Sequence, residues 1–442
     1  FHRGDPGIAI DRNGTFILIR LGFSPGLYSH NSNNLGATWF GQRTVATNDQ
    51  DRATLTTDVQ PSSSHYGRSY AGWVRLSPPY PVLFSYTDDG ANTWSAPAQV
   101  NNPPARGQGG EMAMGPNGEV CIVWAGVANI SPFTEDFVGF AMSTNGGTTW
   151  TARENAFDVN GINGSFSQKG NIRVNGLPRM DVDKSGGARN GWIYVVTTQR
   201  NLAPAGSDPD IIFNRSTDRG ATWSTGIRVN QDAVNNGKFQ YFPAIHVDDA
   251  GGINVLYYDD RNTTTDSTGV YLSRSLDGGT AWQDFRISDH NFKPQPIGGF
   301  GQGYQGDNID LTSSRDTLFP VWMDNSTGIY QIWIAPTALS KLVDVEESGS
   351  TFPSAIRLRQ NFPNPFNPSC EIEYELPASG FVTLIVYDVY GREIKTLVKA
   401  EQPTGIHRVA FDTRSLSLAS GLYLYRLSIN GVTDTRKMVL LK

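Results

Sequence analysis

An eight-residue phrase returns five times along the chain and restricts its fold more tightly than any other feature. The copies are Ser32-Asn-Asn-Leu-Gly-Ala-Thr-Trp39, Thr87-Asp-Asp-Gly-Ala-Asn-Thr-Trp94, Ser143-Thr-Asn-Gly-Gly-Thr-Thr-Trp150, Ser216-Thr-Asp-Arg-Gly-Ala-Thr-Trp223 and Ser275-Leu-Asp-Gly-Gly-Thr-Ala-Trp282. Their tryptophans stand 55, 56, 73 and 59 residues apart. Asp or Asn in third place hydrogen-bonds the backbone that follows it, and Gly in fifth place supplies a positive φ. The Trp brings a large apolar surface that pins the hairpin to its own unit. The phrase therefore reads as a structural turn and not as chemistry. Each copy follows a short apolar strand, a turn with Gly, a second apolar strand ending in an aromatic, and a third strand. In the fifth unit these strands are 243–248, 253–259 and 270–275, with 285–288 after the phrase. A sixth unit, 307–311, 317–323 and 329–335, has the strands without the phrase.

A period of this size suits one four-stranded blade per repeat. The phrase resembles the Asp-box, Ser-x-Asp-x-Gly-x-Thr-Trp, of sialidase-like propellers. The fourth copy matches it fully, while Asn34 and Asn145 replace Asp, Thr87 replaces Ser, Ala91 replaces Gly and Ala281 replaces Thr. The resemblance implies a six-bladed β-propeller with the boxes on the face opposite the ligand site. Residues 6–10 begin the first blade, so the last is expected to be closed by chain from one terminus, which removes exposed sheet edges.

Composition agrees with an all-β chain: 47 Gly and 25 Pro among 442 residues, 38% hydrophobic and only 18% charged, fit many short strands joined by turns. Clustered Lys and Arg for phosphate are absent, and the net charge is −6, so nucleic acid is not an expected partner. After a split at about residue 340 the tail holds 12 basic and 11 acidic residues, leaving 24 and 31 to a mildly acidic front part. No apolar run approaches the roughly 18 residues of a transmembrane helix. Phe1 to Pro6 carry no signal-peptide pattern, so the numbering is expected to begin at or inside a mature protein. Two cysteines, Cys121 and Cys370, leave an inter-domain bridge or two buried thiols open, the second favoured because free Cys is mostly buried. All ten Trp precede residue 340, and the polar stretch 339–354 reads as a linker. The expected layout is a six-bladed propeller at 1–338, the linker, and a β-sandwich at 355–442.

The tail opens on Asn361-Phe-Pro-Asn-Pro-Phe-Asn-Pro368 and continues with about seven short strands, which suggests a small immunoglobulin-like sandwich. Tyr387-Asp-Val-Tyr-Gly-Arg392, Ser420-Gly-Leu-Tyr-Leu-Tyr-Arg-Leu427 and Lys437-Met438 follow in order. This succession is similar to the type A sorting domain of type IX secretion cargo, with Cys370 where that pattern usually has a small hydroxyl residue. The resemblance implies passage through the outer membrane by the type IX machinery, commonly with removal of the tail and attachment to surface lipopolysaccharide. An ordinary immunoglobulin-like adhesion module is the alternative.

Ligand sites of propellers lie where inter-strand loops converge. Here those loops are long, at 155–177, 232–242, 288–306, 128–137 and 200–210. The residues entering the innermost strands are Pro6, Arg52, Glu111, Arg179, Pro243 and Asp307, which together suit a polar pocket for a sugar or an anion. A sialidase needs three Arg on the substrate carboxylate, a Tyr activated by Glu, and an Asp acid. By loop position, Arg52, Arg179 and Arg261 serve as the clamp, Tyr241 with Glu111 as the nucleophile pair, and Asp49 or Asp51 as the acid, although the early Phe-Arg-Ile-Pro motif of that family is absent. Simpler roles stand beside these: Arg261 locking the turn after Asp259, and Arg52 and Arg179 pairing with Asp51 and Asp181. The six histidines share no metal-ligand spacing. Asp248-Asp-Ala-Gly-Gly252 and Asp183-Lys-Ser-Gly-Gly187 resemble calcium loops but fit first turns and lack the carboxylate count, so no cofactor is expected. Arg3-Gly-Asp5 reads as a chance tripeptide. The expected function is a secreted or surface protein binding an extracellular glycan, with an exo-sialidase-type glycoside hydrolase and a structural or adhesive envelope component as alternatives.

Overall fold

A computed structural model describes residues 2–22, 24–102, 106–128, 130–131, 133–297, 303–342, 357–376, 379–403, 405–416, 418–429 and 432–441. Among them the chain is all-β, with helix confined to two three-residue 3-10 turns. It divides into two compact units, Phe1–Asp344 and Val345–Lys442. Most of the stretch 339–354 lies outside the described residues. Leu339 and Leu342 pack into the core of the first unit.

Among the described residues of the first unit, six larger antiparallel sheets follow one another, five of them four-stranded meanders, and Gly164–Phe166 with Ile172–Val174 adds a separate two-stranded sheet. The first strands of the six are His2–Ile10, Gln50–Thr57, Arg106–Met114, Arg179–Val182, Gln240–Val247 and Asp310–Ser314, and each touches the next in this order. The sixth sheet has Thr317–Asp324 in second place and Gln331–Ile334, followed by Thr337–Ala338, in third. No fourth strand joins it among the described residues.

All five repeated turns fold alike. The first-place hydroxyl donates to the third-place Asp or Asn and accepts the fifth-place N–H, while that Asp or Asn also accepts the seventh-place N–H. These bonds span 2.8–3.0 Å in every copy. Fourth and fifth places are both left-handed, with Leu35 at 59° and Arg219 at 64° tolerated in the fourth.

In four of the five copies the tryptophan does more than pin its own hairpin, the role the sequence suggested: it reaches back to the preceding sheet, while Trp282 Nε1 also donates to Gly279 O of its own turn at 3.2 Å. Three residues before each turn, the third strands carry Ser29, Phe84, Phe140, Phe213 and Leu272. Trp150 meets Phe84 edge-on at 5.0 Å between ring centroids, Trp223 meets Phe140 at 5.4 Å and Trp282 meets Phe213 at 5.2 Å. The fifth-place glycines close the other side. A Cβ on Gly147 would stand 2.4 Å from Phe84, one on Gly220 2.0 Å from Phe140 and one on Gly279 2.3 Å from Phe213. Where the partner shrinks to Ser29, Trp94 Nε1 donates to its hydroxyl at 2.8 Å, and the fifth place is Ala91, buried at φ 66°. The replacement of Gly by Ala thus has a steric reason in the neighbouring sheet.

In the second unit, Arg357–Leu358, Ser369–Leu376 and Gly405–Asp412 form one sheet. Glu393–Gln402, Gly380–Tyr387, Gly421–Ile429 and Val432–Leu440 form the other. Ile372, Tyr374 and Phe411 from the first share a core with Val382, Leu384, Tyr425 and Leu427 from the second. The proline-rich opening is tied down by Tyr425, whose hydroxyl accepts the Asn361 N–H at 2.8 Å and donates to the Arg359 carbonyl at 2.7 Å. Asp388 closes the Tyr-Asp-x-x-Gly-Arg turn by accepting the Tyr390 and Arg392 N–H groups. Cys121 and Cys370 are both free and buried, one in each unit.

Gly147→Ala is expected to lower unfolding stability by roughly 2–4 kcal/mol, from a left-handed Cβ driven into a packed ring, while Ala91→Gly changes it by less than about 1 kcal/mol. Adding Phe84→Ser should recover part of the Gly147→Ala loss in a double-mutant cycle by urea unfolding. Additive losses would contradict the clamp.

Candidate functional site

The first strands carry a recurring β-bulge. Pairing slips at Asp5-Pro6, Arg52-Ala53, Gly109-Gly110 and Phe242-Pro243, and the first residue of each pair is left-handed, at φ 51°, 44°, 66° and 52°. A bulge bends its strand and re-aims its side chains. In the first two sheets it does so with an Asp and an Arg, residues that pay for a left-handed backbone. Both line a cavity of about 700 Å³.

That cavity gathers Asp5, Asp49, Asp51 and Arg52 with Arg106 and Asp307, and adds Arg173 and Tyr304 from the long loops. Gln50, Gln108, Asn175 and Asn308 supply amides to the same wall. Arg106 is stacked between Tyr80, 4.6 Å from its guanidinium carbon, and Phe133 at 5.1 Å. Arg173 lies over the Tyr304 ring at 4.7 Å and hydrogen-bonds its hydroxyl. Asn175 Nδ2 donates to Asp307 Oδ2 at 2.9 Å.

Arg52 is 9% exposed, and its backbone N–H donates to Asp5 Oδ2 at 3.3 Å. Its guanidinium has no carboxylate oxygen within 4.0 Å among the described residues. Burial, with Arg179 behind it, pulls its pKa down. Burial, with Asp51 and Asp307 alongside, pushes the Asp5 carboxyl up to about 6. Asp51 is raised chiefly by burial, against the pull of Arg52.

Behind the wall, Arg179 Nη1 donates to Glu111 Oε2 at 3.1 Å and Nη2 to Asn308 Oδ1 at 3.1 Å. This joins the third, fourth and sixth sheets. Arg179 is therefore paired with Glu111 and not with Asp181, which instead accepts from Lys184 and the Val247 N–H.

Two expected residues are elsewhere. Tyr241 has no exposed surface and packs against Phe166, Phe242 and Tyr258 at centroid distances of 5.3–5.6 Å. The bulge after it leaves its ring in the core, where burial holds the phenol far above its usual pKa, and it forms no pair with Glu111. Arg261 is held by Asp259, with Nε donating to Oδ2 at 2.7 Å, and by Asp284, in keeping with a turn lock. The Arg52–Arg179–Arg261 clamp is accordingly not assembled. In the candidate calcium loops, Asp248 accepts the Ala250 and Gly252 N–H groups and Asp183 accepts that of Ser185.

Residues 360–441 match the family described as a secretion system C-terminal sorting domain. The chain carries a type IX sorting domain and is exported to the cell surface or secreted. No helix among the described residues is long and apolar enough to cross a membrane. No curated protein matches the sequence. Among solved structures, the chain is similar to a polysaccharide lyase of family PL25, an ulvan lyase, at 10% identity and TM-score 0.46, covering 99% of this chain and 95% of that one. The α-L-arabinofuranosidase Arb93A of Fusarium graminearum aligns at 12% identity and TM-score 0.43, over 76% and 93% of the two chains. The Aleuria aurantia lectin aligns at 12% and TM-score 0.44, over 75% and 94%.

Between about pH 4 and 6 the folded protein holds a proton on Asp5 that the unfolded chain has released, so this residue lowers stability as pH rises through that window. Asp5→Asn is expected to raise unfolding stability by roughly 1–3 kcal/mol at about pH 7.5 and by nothing at about pH 3.5. Equal gains at both pH values would contradict the burial of that carboxyl.

Proposed function

We propose that the first unit is a six-bladed β-propeller of the Asp-box, sialidase-like kind, and that its axial cavity binds an extracellular glycan at the cell surface. The observation that carries this is Arg52, on the wall of that cavity among carboxylates and amides, with no carboxylate oxygen within 4.0 Å of its guanidinium among the described residues. A guanidinium that faces the cavity without a carboxylate partner is open to a ligand oxygen. Carboxylates and side-chain amides accept and donate to sugar hydroxyls in fixed directions, and Arg52 presents a planar fork to a diol or an acidic substituent. The five turns lie outside this cavity, in keeping with a purely structural use. The second unit, on this reading, is the immunoglobulin-like sandwich that addresses the propeller to type IX export.

One observation favours turnover as a second reading. A carboxyl poised near pH 6, beside two further carboxylates, is the equipment of a glycoside hydrolase acid, with Asp5 in that role and Asp51 or Asp307 opposite. A sialidase-type Tyr241–Glu111 pair has no support.

The purified protein is expected to bind a restricted set of glycans on an array, and Arg52→Ala to weaken that binding tenfold or more. Unchanged binding in Arg52→Ala, or no binding to any glycan, would overturn the reading. A fluorogenic glycoside panel, with Asp5→Asn as control, separates turnover from binding alone.

A further inference from the structure

The chain takes a long way round between the third and fourth sheets. Residues 48–49 are enough to join the first sheet to the second, whereas 159–178 lie between Thr151–Asp158 and Arg179–Val182. Connections of such length inside a compact unit are mostly functional. This one folds as a hairpin, with Gly164–Phe166 paired to Ile172–Val174. Phe166, Ile172 and Val174 share a core with Tyr241 and Tyr258 of the fifth sheet. On the way there, Asn160 Nδ2 donates to the Arg200 carbonyl, at the end of the fourth sheet's second strand, at 2.7 Å. The hairpin thus reaches from the third sheet past the fourth and onto the fifth. Its returning limb brings Arg173, Asn175 and Leu177 to the cavity wall.

Apolar packing has no preferred direction, so by itself it holds a hairpin down without fixing where along the surface it lies. Two buried charges supply the direction. At the root, Glu135 is 1% exposed; its Oε1 accepts the Gly176 N–H at 2.9 Å and its Oε2 the Asn163 N–H at 3.2 Å, one from each limb. Gly176 comes this close because it lacks a Cβ, which would stand 2.5 Å from the Thr198 carbonyl oxygen. At the tip, Lys169 has no exposed surface, and its ammonium donates to Asp260 and to the Thr265 and Ser267 carbonyls, between the second and third strands of the fifth sheet. Three acceptors around a cation with three N–H groups define one position for it. Between these anchors the Arg173 N–H donates to the Gly303 carbonyl at 2.7 Å, so the chain that leads Tyr304 and Asp307 to the cavity is braced by the same hairpin. Among the described residues, neither Glu135 nor Lys169 lines the cavity itself.

We propose that Glu135 and Lys169 are positioning residues of the cavity: they pin the 159–178 hairpin at its root and tip, and so hold Arg173 and Asn175 where a ligand meets them. Binding then depends on two side chains that never touch the ligand. In this the proposal rests on the glycan reading above, while the pinning of the hairpin is independent of it.

Hydrogen exchange of the ligand-free chain and its affinity for an array-selected glycan test the two halves. The variants are Glu135→Gln, and Lys169→Ala made together with Asp260→Asn so that no bare carboxylate is left buried. Each is expected to speed exchange at the 164–174 amides about tenfold while the first two sheets keep their protection. Each should also weaken glycan binding about tenfold. Arg173→Ala weakens binding in the natural chain but should add little in either variant, whereas Arg52→Ala should add its full effect in both. Unchanged exchange at 164–174, or exchange that rises equally throughout the first unit, would overturn the proposal. Unchanged affinity in both variants, or an equal loss from Arg173→Ala in every background, would overturn it while Arg52→Ala keeps the glycan reading in place. A natural chain that binds no glycan would overturn that reading, and the proposal with it.

Discussion

The first unit depends on a contact made between sheets. In three of its joints a phenylalanine of one sheet is held between a glycine and a tryptophan of the next turn, in a gap that the glycine's missing Cβ keeps open. Hydrogen bonds inside the turn hold that glycine and tryptophan in register, so the turn sets the distance between sheets and not only the path of its own hairpin. The joint between the first and second sheets keeps the device with smaller parts, Ser29 and Ala91, and replaces ring contact by the Trp94 hydrogen bond. Among the described residues the sixth sheet has no such turn, and Trp39 of the first is 40% exposed.

Fixing the joints brings the first strands together, and the bulges decide what they present. Asp5 and Arg52 occupy backbone conformations that glycine holds more easily, as Gly109 does at the corresponding place. The strained backbone holds two ionisable groups on a common cavity, one a carboxyl with a raised pKa and the other a cation with no carboxylate oxygen within 4.0 Å among the described residues. The Arg179–Glu111–Asn308 network behind them ties the third and fourth sheets to the chain that enters the sixth.

Much of this was legible in the sequence. The repeated phrase, its period and the alternation of the strands gave the successive sheets, and the motif order of the tail gave its export role. Arg52 and Asp307, which the strand pattern puts at the innermost strands, and Asp49 and Asp51, taken from loop position, all line the cavity. Asp5 was passed over as part of a chance tripeptide, and Arg106, Arg173 and Tyr304 were missed because they reach the cavity from bulged or looped chain, where no periodicity says which way a side chain points. Tyr241 was misplaced for the same reason: one extra residue at Phe242-Pro243 changes the phase of alternation. The Trp contacts with the preceding sheet were missed because the phrase carries no sign of what lies across the joint, although the pairing of Ser29 with Ala91, against Phe with Gly elsewhere, was present as a clue.

The account rests on the cavity being a ligand site, and the most direct measurement is a crystal structure of the protein with a glycan selected on the array. It predicts sugar density in contact with the Arg52 guanidinium and with Asp5 or Asp307. Density at another surface, with the cavity holding only solvent, would contradict it.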